Sequence, residues 1–139
     1  MEGITDLAEL LAGLEPSLSD GEFVFLSIPD NAGAHGNAGA PWAVIREDEG
    51  TTLILERPPA EGTGKEEGET FRRITLTVHS SLAAVGLTAA VSRALAEAGI
   101  PANVVAGFHH DHIFVPAGRA GEALAVLEAL SQGSPPLRS

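Results

Sequence analysis

Two short strings, His79-Ser80-Ser81 and His109-His110-Asp111-His112, hold four of the five histidines in this chain beside hydroxyls and a carboxylate. Imidazoles titrate near neutrality and suit zinc, nickel or copper. Hydroxyls can bind a carboxylate ligand, and Asp111 could take an ammonium group. Three chemistries are open to such a set. One is recognition of a small zwitterion. A second is a metal site, in which His110 and His112 share a face if a strand runs through them, His79 adds a ligand and Asp111 a direct or outer contact. The string matches no established ligand spacing, so no metal and no cofactor is expected. The third is catalysis by His79, Ser80 and Asp111. Nothing indicates a nucleophile elbow or oxyanion hole, and adjacent residues on a strand point to opposite faces, so no catalytic residue is assigned. The plain alternative is structural: Ser80 and Ser81 cap a helix or satisfy a loop, and the histidines form a polar turn.

The elements that must position these residues are clear in the C-terminal half. From Arg73 to His79 the chain alternates, with Ile74, Leu76 and Val78 on one side and Thr75, Thr77 and His79 on the other. That is a half-buried strand of an antiparallel sheet. A helix is expected from Gly86 to Ala98, burying Leu87, Val91, Ala94, Leu95 and Ala98, stopped by Gly99 and Pro101. Strands are expected at Asn103–Phe108 and Ile113–Val115. A last helix carries Ala120, Ala123, Leu124, Leu127 and Leu130 and closes at Gly133 and Pro135. The order is β-α-β-β-α. In that order the end of the first strand, the start of the first helix and the turn Phe108–His112 share one pole. A helix N-terminus offers unpaired N–H groups and a positive dipole end, which suit a carboxylate. An amino acid could place its carboxylate there and its ammonium on Asp111.

The N-terminal half is less regular. Leu7, Leu10, Leu11 and Leu14 mark one face of a short helix, with Thr5 as its expected cap and Gly13 near its end. Glu22–Ile28 reads as a strand, and Trp42–Glu47 with Thr51–Glu56 as a hairpin turning at Asp48-Glu49-Gly50. Pro29 to Pro41 is breaker-rich and reads as a loop. Eight of nineteen acidic residues lie between Arg46 and Glu69, against four from Ile74 to Ser139. Together with the Pro, Gly and charge content of Arg57–Thr70, that places a boundary between residues 1–70 and 71–139. The Asn31–Gly36 glycines do not follow the dinucleotide pattern, and the acidic clusters lack a calcium loop.

Bulk composition excludes several classes. With 8 basic against 19 acidic residues, net charge −11, there is no basic stripe for a nucleic-acid backbone or an anionic membrane. No apolar run approaches the roughly 20 residues of a spanning helix, and the N-terminus has no signal-type pattern. The absence of cysteine removes disulfides and thiolate chemistry and fits a reducing cytoplasm, the expected compartment.

Gly86-Leu87, then Ala94-Leu95-Ala96-Glu97-Ala98-Gly99-Ile100, then Asn103-Val104-Val105 resembles the ACT-domain family of regulatory modules. The strings Val78 to Thr88, His110 to Val115 and Glu47 to Leu53 are similar to a small bacterial group with two ACT-like halves. The resemblance implies a ferredoxin-like α+β fold, a two-layer βαββα(β) sandwich on an antiparallel sheet. Residues 1–70 would be a degenerate ACT-like half and 71–139 an ACT domain. It also implies a small effector, an amino acid in the first instance, bound near the Gly-Leu loop, frequent homodimers and no catalytic activity. With the pole argument, the expected ligand-binding residues are His79, Ser80, Ser81, Val85, Gly86, Leu87, Asn103, His110, Asp111 and His112. One departure stands out. A complete ACT module ends in a further strand, whereas Ser131 to Ser139 contains Pro135-Pro136, which cannot serve a ladder interior. A strand from the N-terminal half, Phe23–Ile28 as first candidate, is expected to fill that place.

Overall fold

The computed structural model describes residues 6–29, 40–57, 69–78 and 85–133. The chain packs as two compact units: residues 1–19 with 72–139, and residues 20–71.

In the first unit, helix α1 (Leu7–Ala12) leads into a short strand β1 (Pro16–Leu18), and strand β5 (Phe71–Leu76) enters from the boundary. Helix α2 (Leu87–Glu97), strands β6 (Asn103–Ala106) and β7 (Asp111–Pro116), a 3-10 turn (Ala117–Arg119) and helix α3 (Ala120–Ser131) follow. The strand order is β1-β5-β7-β6, with β6 antiparallel to β7 and β1 antiparallel to β5. The β5 edge from Ile74 to Leu76 is therefore taken by Pro16–Leu18, paired Ser17 to Thr75, while Phe23–Ile28, the first candidate, meets β5 only at the Phe23–Phe71 pair. The reason is length of chain. The three residues after α1 reach the β5 edge directly, while Phe23–Ile28 has a seven-residue partner elsewhere.

The core forms because the alternation and the helical stripes agree. Ile74 and Leu76 from β5, with Val78 just beyond the strand, which ends at Leu76 and not at His79 as expected, meet Ile113 and Val115 from β7. Leu87, Val91 and Leu95 of α2 and Ala120, Ala123 and Leu127 of α3 cover them. Leu10 and Leu14 complete the cluster and are fully buried. The α1 cap is Asp6, not Thr5, which lies outside the described residues: the Asp6 carboxylate accepts from the Ala8 N–H at 2.9 Å. Gly99 takes the left-handed conformation, φ +75°, that ends α2. Arg119 adds a second stop that sequence patterns did not indicate. Its guanidinium donates to the carbonyls of Ala98 and Gly99 at 3.2 and 3.3 Å and to Glu122 at 2.8 Å. A cation there complements the negative end of the helix.

The second unit is built on strands β2 (Glu22–Ile28), β3 (Ala43–Glu47) and β4 (Gly50–Arg57) in the order β3-β4-β2, all antiparallel. The hairpin turns at Asp48-Glu49, and Gly50 opens β4 opposite Glu47. Phe23, Leu53, Ile54 and Leu55 are buried, and Trp42 stands edge-on to Phe23 with centroids 6.4 Å apart. Among the described residues the first unit combines helices with strands and the second shows antiparallel strands, the α+β, ferredoxin-like class expected.

Candidate functional site

Four residues make the β6–β7 turn. The Gly107 N–H donates to the His110 carbonyl at 2.9 Å, which leaves only Phe108 and His109 at the tip. Phe108 is 72 % exposed there, its ring edge-on to His109 at 5.1 Å. The turn is thus shorter than the Phe108–His112 span expected, and Asp111 and His112 belong to β7. A strand alternates its side chains, so the two residues point to opposite faces. Asp111 shares parity with the core residues Ile113 and Val115, on the helix side. His112 faces the other way.

On that outer face His112 is held by β5: Thr75 Oγ1 and His112 Nδ1 lie 2.9 Å apart in a hydrogen bond. The contact sets the end of β5 beside the start of β7, the shared pole that the strand order requires. The His112 ring also packs on Gly107, where a Cβ would sit 3.5 Å from Nε2 and 2.9 Å from the His110 carbonyl oxygen. Burial lowers the His112 pKa, and the positive charges of Arg73 and His110 push it the same way. Asp111 moves up, because burial penalises its carboxylate more than His110 relieves it. The His110 Nδ1 is buried, with no hydrogen-bond partner among the described residues.

Gly107 is a residue sequence reading missed. Gly107→Ala should distort the turn, because the new methyl presses on the His110 carbonyl oxygen at 2.9 Å, and the shifted turn carries the adjoining His112 ring with it. We expect a loss of about 1–3 kcal/mol from overpacking, measured as a lower urea midpoint, with a changed His112 resonance. An unchanged histidine spectrum would refute the contact.

On the helix side, Gly86 is the N-cap of α2 with φ +101° and makes no side-chain cap. Its carbonyl accepts from the Ala90 N–H at 2.9 Å, while the N–H groups of the first turn point out of the helix. Leu7 of α1 lies against it: a Cβ on Gly86 would be 3.2 Å from the nearest Leu7 methyl. Val85 beside it is 81 % exposed. Leu87, by contrast, is buried in the core cluster and its side chain serves packing.

The expected constellation is therefore spread over two faces and both ends of the hairpin. Val85, Gly86 and Asp111 fall on the helix side, while His110 and His112 lie on the outer face. Asn103 shares the outer face but opens β6 at the end away from the turn, with its amide donating to the Phe114 carbonyl at 3.5 Å. His79, Ser80 and Ser81 lie outside the described residues. Among the described residues no group of three His, Asp or Glu side chains is gathered closely enough to hold a metal ion. None of their helices is long and apolar enough to cross a membrane. Thr75 and Arg73 were not singled out from sequence; their signal was the polar side of an alternating strand.

Comparison with known proteins bears on the whole chain. Residues 2–72 match a family model described as an ACT domain, and residues 70–129 match a second model of the same description. A solved structure of a Vibrio cholerae protein of unknown function, described as a possible transport protein, is 48 % identical. It aligns over 86 % of this chain and 91 % of that one, with a TM-score of 0.73. An Agrobacterium tumefaciens protein shares the fold at 14 % identity and TM-score 0.61, over 84 % of this chain and 87 % of that one. No match is found among curated proteins. ACT domains are in general regulatory modules that bind small ligands, often amino acids. On two successive matches and a near-half-identical relative, the chain belongs to the ACT-domain family.

Proposed function

We propose that this protein is a non-catalytic sensor whose effector, an amino acid in the first instance, binds on the helix side of the pole where α2 begins. The observation that carries the reading is the start of α2: Gly86 gives it no side-chain cap, its first-turn N–H groups point outward, and Asp111 stands at the same end of the sheet on the same side. A carboxylate suits the N–H groups and an ammonium suits Asp111. We further propose that 1–70 and 71–139 are two ACT-like halves, the first lending α1 and β1 to the second. The matches at 2–72 and 70–129 support that division. A cytoplasmic homodimer is the assembly we favour, the compartment on the absence of cysteine and the pairing on the habit of ACT modules.

The test is a thermal-shift screen of chelator-treated protein against the common amino acids. A ligand at 100 times its dissociation constant stabilises the native state by about 2.7 kcal/mol. Asp111→Asn preserves shape and should remove most of the shift, and Gly86→Val, forced into the left-handed region, should abolish it. A flat screen would sink the amino-acid reading, and a shift untouched by Asp111→Asn would move the site elsewhere.

A further inference from the structure

Two apolar side chains border Gly86, Val85 through the chain and Leu7 through space, and neither is spent on the core. Val85 stands immediately before the N-cap of α2 and is 81 % exposed. An apolar residue in that position ordinarily packs on the fourth residue of the helix and fixes how the chain enters. Here that residue is Ala90, which offers only a methyl, and Val85 stays in solvent, so the staple is not made. Leu7 continues the α1 stripe of Leu10 and Leu14, which are fully buried. It reaches past them to Gly86 and keeps 37 % of its surface exposed. Charge is sparse around the pair. Residues 6–12 and 85–92 contain no Lys or Arg. The Asp6 carboxylate is engaged by the Ala8 N–H, and Glu9, two residues on from Leu7, does not share its side of α1.

We propose that the amino acid bound at this pole carries an aliphatic side chain longer than a methyl, and that Val85 and Leu7 select it. The inference rests on the effector reading argued above. There the carboxylate takes the first-turn N–H groups and the ammonium takes Asp111, so the side chain alone is left to distinguish one amino acid from another. Laid over Val85 and Leu7, an aliphatic chain removes their apolar surface from water, with a gain proportional to the area covered. A hydroxyl or amide gains nothing in the same place. The side chains of Val85 and Leu7 hold no donor or acceptor, so a polar group would lose water there without a replacement. An acidic side chain fares worse, because it adds a second negative charge beside Asp111 with no Lys or Arg in 6–12 or 85–92 to offset it. Selection at this pole is thus by apolar contact on one part of the ligand and by charge on the other.

The experiment is calorimetric titration of the full chain with alanine, 2-aminobutyrate, norvaline and norleucine. That series lengthens the side chain one methylene at a time and leaves the carboxylate and ammonium unchanged. The expected result is a Kd that falls along the series, by about fourfold for each methylene fully covered. Serine, which puts a hydroxyl where 2-aminobutyrate has its methyl, should bind more weakly than 2-aminobutyrate, and aspartate more weakly still. Val85→Ser and Leu7→Ala should each flatten the series. Val85 is exposed enough that its variant will fold whatever becomes of Leu7→Ala. Val44→Ser, at an exposed apolar position of the second unit, should leave the series as it is. A Kd that stays constant along the series, or a length dependence that both Val85→Ser and Leu7→Ala preserve, overturns the inference. If Asp111→Asn still removes binding in that case, the effector pole stands without it. Binding by no member of the series overturns both.

Discussion

A fragment beginning at Phe71 will not melt cooperatively, although it contains every strand and helix of the second ACT match except those lent by the N-terminus. Residues 1–19 give the first unit two fully buried leucines, Leu10 and Leu14, in one cluster with Val91, Leu95 and Leu127. Truncating one such leucine costs about 2–5 kcal/mol, and removing both approaches the 5–15 kcal/mol that a whole domain has. The loss does not stop at packing. Ser19 N–H donates to the Arg73 carbonyl at 3.0 Å and Thr77 N–H to the Leu14 carbonyl at 3.2 Å, while β1 pairs over three residues. Without them β5 becomes a bare edge in the middle of its own unit, a template for aggregation. Circular dichroism and a urea melt of the fragment, beside the full chain, make the check. A sigmoidal transition with native helix content would show that α1 and β1 are accessories. Leu14→Ala in the full chain should lower stability by about 2–5 kcal/mol on the same reasoning.

The dependence on α1 and β1 also marks where sequence reading ran out. The strict alternation through Ile74, Leu76 and Val78 and the stripe through Leu87, Val91 and Leu95 are signals set by period; the helix lies where its stripe put it, whereas the strand runs Phe71–Leu76, starting two residues early and ending before Val78. Pro16–Leu18 carries no such signal. Three residues beginning with proline have no measurable alternation, and their role comes from position after α1 and from an empty edge at β5. Phe23–Ile28 was the stronger strand by composition, and it pairs with β4 along its length because β4 is also long and apolar. The site follows the same logic. Histidine chemistry and a shared pole were legible. Which face each residue takes was not, because that depends on where the turn ends, and a single N–H from Gly107 moves His112 out of the turn and onto β5. Thr75 was visible only as the polar half of a strand. Its bond to His112 joins residues 37 apart.

Gly50→Val will destabilise the second unit by roughly 3 kcal/mol or more, the sum of local backbone strain and overpacking. In sequence Gly50 reads as the last residue of a turn, where many residues would serve. In the fold it opens β4 with φ +149°, and a Cβ there would lie 2.5 Å from the Ile28 carbonyl oxygen and 3.3 Å from its carbon. Both neighbours are backbone, so no rotamer can move aside. Either the Ile28–Thr51 end of the β2–β4 ladder opens or the hairpin shifts against it. The pairs Leu26–Leu53 and Val24–Leu55 follow in the same ladder, so the strain runs toward the buried Leu53 and Leu55. A melting point lower by roughly 10 °C is the scale to expect for a chain of this size. Amide exchange gives the sharper check, since protection should fall in β2 and β4 while α2 and β7 keep theirs. Uniform loss in both units would mean that they melt as one. An unchanged midpoint would mean that the backbone at Ile28 yields freely, and the close approach at Gly50 then has no structural weight.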